Sequence, residues 1–160
     1  MKKILYLFLA LASYGIFAQT TAEEYLNSAV SKFYLDDMKG AIIDYTKAII
    51  IDPSYVEAYR KRGIAKEELK DFSGAIVDYT KAIEIDPNYA FALHDRGITK
   101  GKLKDFSGAI ADYIIAIKID PNYATAYFNR GVSKFYLGDM IGACKDARKA
   151  QELGDDASIL

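Results

Sequence analysis

One histidine, one cysteine and a set of charges that recur every 34 positions are what these 160 residues offer for chemistry. His94 stands alone, so a histidine metal cluster or a Ser-His-Asp triad has no material to draw on. No cysteine lies within motif distance of it, and no metal-ligand spacing occurs. Cys144 takes the place that Ile76 and Ile110 hold in related segments, which predicts a small buried hydrophobe. Glu67 and Glu68 are adjacent, so a helix points them in different directions, and a solvated face is expected for them. The glycines form neither a P-loop nor a GxGxxG turn. No catalytic residue, metal or cofactor is expected, and an enzyme is not.

The recurring charges fall in three columns. Lys32, Lys66, Lys100 and Lys134 form one, and Asp44, Asp78, Asp112 and Asp146 the second. The third reads Ser28, Arg62, Arg96 and Arg130, so its arginine begins only in the second unit. A first unit without arginine suggests that each arginine serves the aspartate of the unit before it. The expected pairs are therefore Asp44–Arg62, Asp78–Arg96 and Asp112–Arg130, with each lysine supporting the aspartate of its own unit. Such a ladder holds register and stacking. A binding stripe is the lesser reading of the same charges.

The elements that must position these residues follow from the same period. "DFSGAIVDYTKAIEIDPNYA" at 71–90 returns as "DFSGAIADYIIAIKIDPNYA" at 105–124, and Gly40, Gly74, Gly108 and Gly142 keep the same step. Cutting at that step gives units 22–55, 56–89, 90–123 and 124–157, with a tail at 158–160. Within a unit the apolar spacing is helical: Ile76, Tyr79, Ala82 and Ile83 share one face of 72–85. Asp37, Asp71, Asp105 and Asp139 can cap the second helix of each unit, and the Asp-Pro pairs at 52–53, 86–87 and 120–121 end it. Each unit reads as two antiparallel helices and a tight turn. Small residues at the crossing, Gly63 against Ala75, are expected to let the backbones approach. Gly101 inside a helix costs about 1 kcal/mol relative to Ala and marks the third unit as the soft spot.

Composition excludes some partners. The 21 basic and 22 acidic residues nearly cancel, which argues against a nucleic-acid binder that neutralises phosphates. Lys2 and Lys3 precede a charge-free apolar run at 4–17 and a small residue, Ala18, the layout of a secretory signal peptide over 1–18. Fourteen apolar residues fall short of the roughly 20 that a membrane span requires. An exported protein is expected, periplasmic or secreted, with a short lead at 19–21 and no stable span after cleavage.

The columns Tyr59, Gly63, Ala75, Tyr79, Ala82 and Pro87, then Leu93, Gly97, Ala109, Tyr113, Ala116 and Pro121, resemble the tetratricopeptide repeat over 22–157. Departures are Ala29 for glycine in the first unit, and Ala147 for the aromatic and Asp155 for proline in the last. The arginine column stands where the family often has leucine, and the lysine column where it often has tyrosine. The resemblance implies an all-α, right-handed superhelical solenoid of four helix-turn-helix repeats, a scaffold that binds a protein or peptide on its concave face. First helices line that face. The positions that vary between units put Phe33, Arg60, Glu67, Phe91, His94, Lys102, Phe128 and Phe135 there, aromatic at the ends and charged in the middle. One family subset grips a chaperone's terminal carboxylate with lysine and asparagine. Its asparagine column is Val30, Ile64, Ile98 and Val132 here, which disfavours that mode. The alternative is self-association into a homo-oligomer. It would use Ile114 and Ile115, which replace the Thr-Lys of earlier units, or the exposed end of the stack.

Overall fold

The computed structural model describes residues 22–154, and the expected signal, lead and tail segments lie outside them. The described residues form eight helices: α1 (22–34), α2 (Met38–Ile51), α3 (Val56–Glu68), α4 (Phe72–Ile85), α5 (Ala90–Lys102), α6 (Phe106–Ile119), α7 (Ala124–Tyr136) and α8 (Met140–Glu152). No described helix is long and apolar enough to cross a membrane.

Each even-numbered helix starts in the same way. The Asp37, Asp71, Asp105 and Asp139 carboxylates accept from the backbone N–H of Gly40, Gly74, Gly108 and Gly142 at 2.8–2.9 Å. A Cβ on Gly74 would lie 2.1 Å from Asp71 Oδ2, so glycine keeps the cap seated over that N–H. The Asp-Pro turns end the even helices: Asp86 N–H closes on the Ala82 carbonyl, while its Oδ1 accepts from Asn88 N–H at 2.9 Å. Asp52 and Asp120 repeat the arrangement with Ser54 and Asn122.

Packing proceeds along the chain, each helix from α2 onward against the next, and the odd helices also touch one another: α3 with α5, α5 with α7. Even helices show no comparable contact, so the stack closes on the odd-helix side and opens on the other. Among the described residues a buried apolar cluster passes from hairpin to hairpin, from Leu26 and Tyr45 through Ala58 and Tyr59 to Ala82 and Ala92, in place of one centre common to all four. Tyr45, Tyr79 and Tyr113 are buried one per hairpin, among alanines that allow no solvent contact. At the crossing where Gly63 is expected against Ala75, the nearest atoms belong to an aromatic ring. The space beside Gly63 is filled by the Tyr79 ring, whose Cε1 would lie 2.6 Å from a Cβ there, and Tyr113 fills the space at Gly97 in the same way. Where Ala147 replaces the ring, Gly131 faces the Ala143 carbonyl and Asp146 Cβ instead.

The charged columns pair within hairpins, not between them. Arg62 holds Asp78 through Nε at 2.9 Å and Nη2 at 2.6 Å, Arg96 holds Asp112, and Arg130 holds Asp146 in the same fork. The expected Asp44–Arg62, Asp78–Arg96 and Asp112–Arg130 pairs are therefore replaced by pairs 16 residues apart. The reason is geometric: two antiparallel helices joined by a tight turn bring these positions opposite each other. The link to the preceding hairpin runs through the third guanidinium donor, Arg62 Nη1 to Thr46 Oγ1 and Arg96 Nη1 to Thr80 Oγ1, both at 3.0 Å. Lys66, Lys100 and Lys134 join their own hairpin's aspartate at 2.7–2.8 Å. The first hairpin needs no arginine, because Ser28 donates to Asp44 at 2.7 Å and Lys32 and Lys47 flank it.

Cys144 is exposed, contrary to expectation, because no described helix follows α8 to cover the side that buries part of Ile76 and Ile110 in earlier hairpins.

Candidate functional site

The face where α3, α5 and α7 touch carries most of the variable residues, and its polar groups bind one another. Arg60 Nε donates to Asp95 Oδ2 at 2.6 Å from α3 to α5, and the guanidinium lies 5.2 Å from the centre of the Phe91 ring. The carboxylate at 2.6 Å keeps the Arg60 charge in place despite burial, with its pKa raised. Glu67 is 9% exposed, not solvated as its neighbour Glu68 is. It accepts from Tyr79 Oη at 3.1 Å and Thr99 Oγ1 at 2.9 Å, and Lys102 of α5 pairs with its other oxygen. Burial first, then the Glu67 charge beside it, drives the Tyr79 phenol pKa strongly upward, so Tyr79 stays a donor.

His94 is buried between layers. The Asn129 amide nitrogen of α7 lies 3.0 Å from its Nε2, and its Nδ1 faces Asp95 Oδ1 at 3.5 Å. Its ring packs on Tyr123 at 4.9 Å and Tyr113 at 5.8 Å. Burial pushes the Tyr123 phenol up to about 12, so that group too is neutral at ordinary pH. These contacts share one spacing: Arg60–Asp95, Glu67–Lys102 and His94–Asn129 each join residues 35 apart. Parallel neighbouring odd helices bring a residue against the one just beyond its own repeat.

Exposed rings stand beside this lattice, with Lys61 and Arg60 lining the recess nearest the first hairpin. Phe91 is 52% exposed beside Tyr89 and Tyr123, with ring centres about 6 Å apart. Phe33 lies toward the first hairpin, in a recess of 190 Å³ with Val30, Tyr45 and Ile64. Phe128 and Phe135 lie at the far end, in a groove of 380 Å³ completed by Val132, Tyr136, Cys144 and Ala147. The structure thus brings Arg60, Glu67, Phe91, His94 and Lys102 together, joins Phe33 to them through the recess that it shares with Arg60, and sets Phe128 and Phe135 at the far end. Ile114 and Ile115 are both exposed on α6, away from this cluster. Ile114 occupies the place of Thr46 and Thr80, so Arg130 has no hydroxyl from the preceding hairpin. Asp95, Thr99, Asn129 and Tyr123 escaped the column reading. For Asp95 and Asn129 the signal was the spacing of one period plus one; Thr99 and Tyr123, 32 and 29 residues from Glu67 and His94, carried no such mark.

Comparison with known proteins agrees with this architecture. Family models described as "TPR repeat" and "Tetratricopeptide repeat" match residues 102–138 and 56–89. No curated protein sequence matches the chain. Among solved structures, "Crystal structure of MamA" superposes with a TM-score of 0.80 at 24% identity, covering 88% of this chain and 82% of that one. "First TPR of Spaghetti (RPAP3) bound to HSP90 peptide SRMEEVD" gives 0.73 at 24%, over 75% and 95%. An "Arabidopsis OM64 TPR domain" gives 0.72 at 25%, over 74% and 98%. At these identities the likeness concerns the fold.

Proposed function

We propose that this chain, which belongs to the tetratricopeptide-repeat family, is a scaffold that holds a protein segment against its α3–α5–α7 face through apolar side chains. The fold supports protein partners in general. One observation carries the narrower reading: the charges of that face are spent on each other, while its rings stay open to solvent. An acidic peptide such as the SRMEEVD held by the RPAP3 domain needs free cations. Here Arg60 is tied to Asp95 and Lys102 to Glu67, and pulling either away would strand a largely buried carboxylate. The ligand that fits is uncharged along its length and offers aromatic or branched side chains to Phe91 and to the Phe128–Phe135 groove. The signal-like segment at 1–18 supports a site of action outside the cytoplasm, in the periplasm or beyond.

Fluorescence anisotropy with the purified protein tests the reading, using two labelled peptide pools, one neutral and rich in Leu, Phe and Tyr, the other acidic. The neutral pool binds, the acidic pool does not, and Phe91→Ala or Phe135→Ala weakens binding about tenfold each. Preference for the acidic pool, or unchanged affinity in both variants, refutes it.

A further inference from the structure

We propose that the molecule associates head to tail, α1 of one copy seating on the open side of the α7–α8 hairpin of the next. The interior of the chain supplies the template. There α7 covers the α5–α6 hairpin: Asn129 bonds His94, the Tyr136 ring stacks on Phe106 at 4.6 Å and 8°, and Ala126 and Ser133 are buried. Among the described residues no helix covers α7–α8 in that way, Met140 is exposed, and the 380 Å³ groove stays open, so α1 of a second copy competes there with a bound segment.

The helix that matches the template is α1. Its sequence AEEYLNSAVSKFY departs from ATAYFNRGVSKFY of α7 at five positions only: Glu23 for Thr125, Glu24 for Ala126, Leu26 for Phe128, Ser28 for Arg130 and Ala29 for Gly131. Asn27 and Tyr34 correspond to Asn129 and Tyr136, the two residues through which α7 grips its neighbour. Neither α3, with Lys61 and Glu68, nor α5, with Asp95 and Lys102, keeps that pair. At the open end Phe128 and Met140 stand where His94 and Phe106 do, so the grip there rests on Tyr34 against Met140. Tyr34 is 82% exposed and Asn27 is exposed, so the gripping residues of α1 have nothing to grip within the described chain.

The differences between α1 and α7 are answered on α8. Internal hairpins put a small alanine, such as Ala58, in the cluster that holds the preceding tyrosine, Tyr45. At the chain ends the sizes are exchanged, Glu24 on the incoming helix and Ala147 where the tyrosine would stand. The polar link is exchanged too. Internally the later hairpin supplies the guanidinium and the earlier one the hydroxyl, as in Arg62–Thr46. At the ends the earlier side carries Arg148, in the threonine column, and the incoming side carries Ser28, in the arginine column. Arg148 also provides a cation for Glu24. Two different surfaces that fit each other give an open chain of copies, not a closed dimer.

Sedimentation velocity over a roughly hundredfold concentration range reads this directly, the mass of the parent protein rising past that of a dimer. Tyr34→Arg blocks one end and Met140→Arg the other, both at exposed side chains, with circular dichroism as the folding control. Should Tyr34→Arg lose helicity, Asn27→Arg tests the same end. Each variant alone sediments as a monomer, and a one-to-one mixture forms dimers and nothing larger. A parent protein that is monomeric throughout overturns the proposal, including the case in which the chain's own terminal residues fill these ends. So does a dimer that stops growing, or a single variant that still forms long chains.

Discussion

Four aspartates, Asp44, Asp78, Asp112 and Asp146, are buried in a protein with no charge to waste, and each survives burial only because cations and donors surround it. Asp44 shows the balance most clearly. Burial pushes its carboxyl up, and hydrogen bonds from Lys32, Ser28 and Lys47 more than reverse this, bringing it from 3.8 to about 2. Asp146 is lowered as well by Arg130 and Lys134, against the same burial. A carboxyl depressed in the folded state stabilises it above the unfolded value and loses that contribution as pH falls through the folded one. Urea unfolding followed from pH 5 to pH 2 therefore shows declining stability, with Asp44 contributing about 2 kcal/mol of the loss. Asp44→Asn is less stable at pH 7 and loses less on acidification. Parallel curves for the two proteins would remove Asp44 from this role. Glu67 marks where residue-level reading stops: its adjacency to Glu68 was visible, but not that α5 lies over it and delivers Thr99 and Lys102 to its oxygens.

Local chemistry at the helix ends was written plainly in the chain. An aspartate three residues before a glycine, and an Asp-Pro turn every 34 residues, specify caps and breaks without reference to any distant residue. Which column faces which was not legible to the same degree. Both candidate partners of Arg62 recur at one period, and only the crossing of two helices decides for Asp78 over Asp44. The groove had the same character: Arg60, Glu67, His94 and Lys102 were found, and Asp95 and Asn129, one residue beyond the period from Arg60 and His94, were missed. Gly101 gives a test at this scale. It sits in the last turn of α5 in helical backbone, and a Cβ there meets nothing within 4 Å. Gly101→Ala thus removes the entropic penalty of glycine without a clash and raises stability by about 1 kcal/mol in chemical denaturation. No gain, or a loss, would mean that the helix end needs the freedom glycine gives.

A stack without a common core distributes its stability unevenly, and the unevenness is set by neighbours. The α3–α4 hairpin has α2 on one side and α5 on the other, and its Tyr79 is wholly buried. Among the described residues the α7–α8 hairpin is covered on one side only, has Ala147 where the ring would be, and keeps Met140, Ile141 and Cys144 exposed. In a quasi-one-dimensional array, opening begins where a unit has one interface to lose and not two. Native-state hydrogen exchange at low protein concentration should therefore protect amides of α4 most and those of α8 least, although their helix lengths are nearly equal. Raising the concentration separates this from a merely weak α8. If α1 of another copy covers the open side, protection in α8 climbs toward that of α4, while α4 itself changes little. Uniform protection from α3 to α8 would contradict the stacked architecture itself, because it requires all the helices to open as one body around a core that these contacts do not contain.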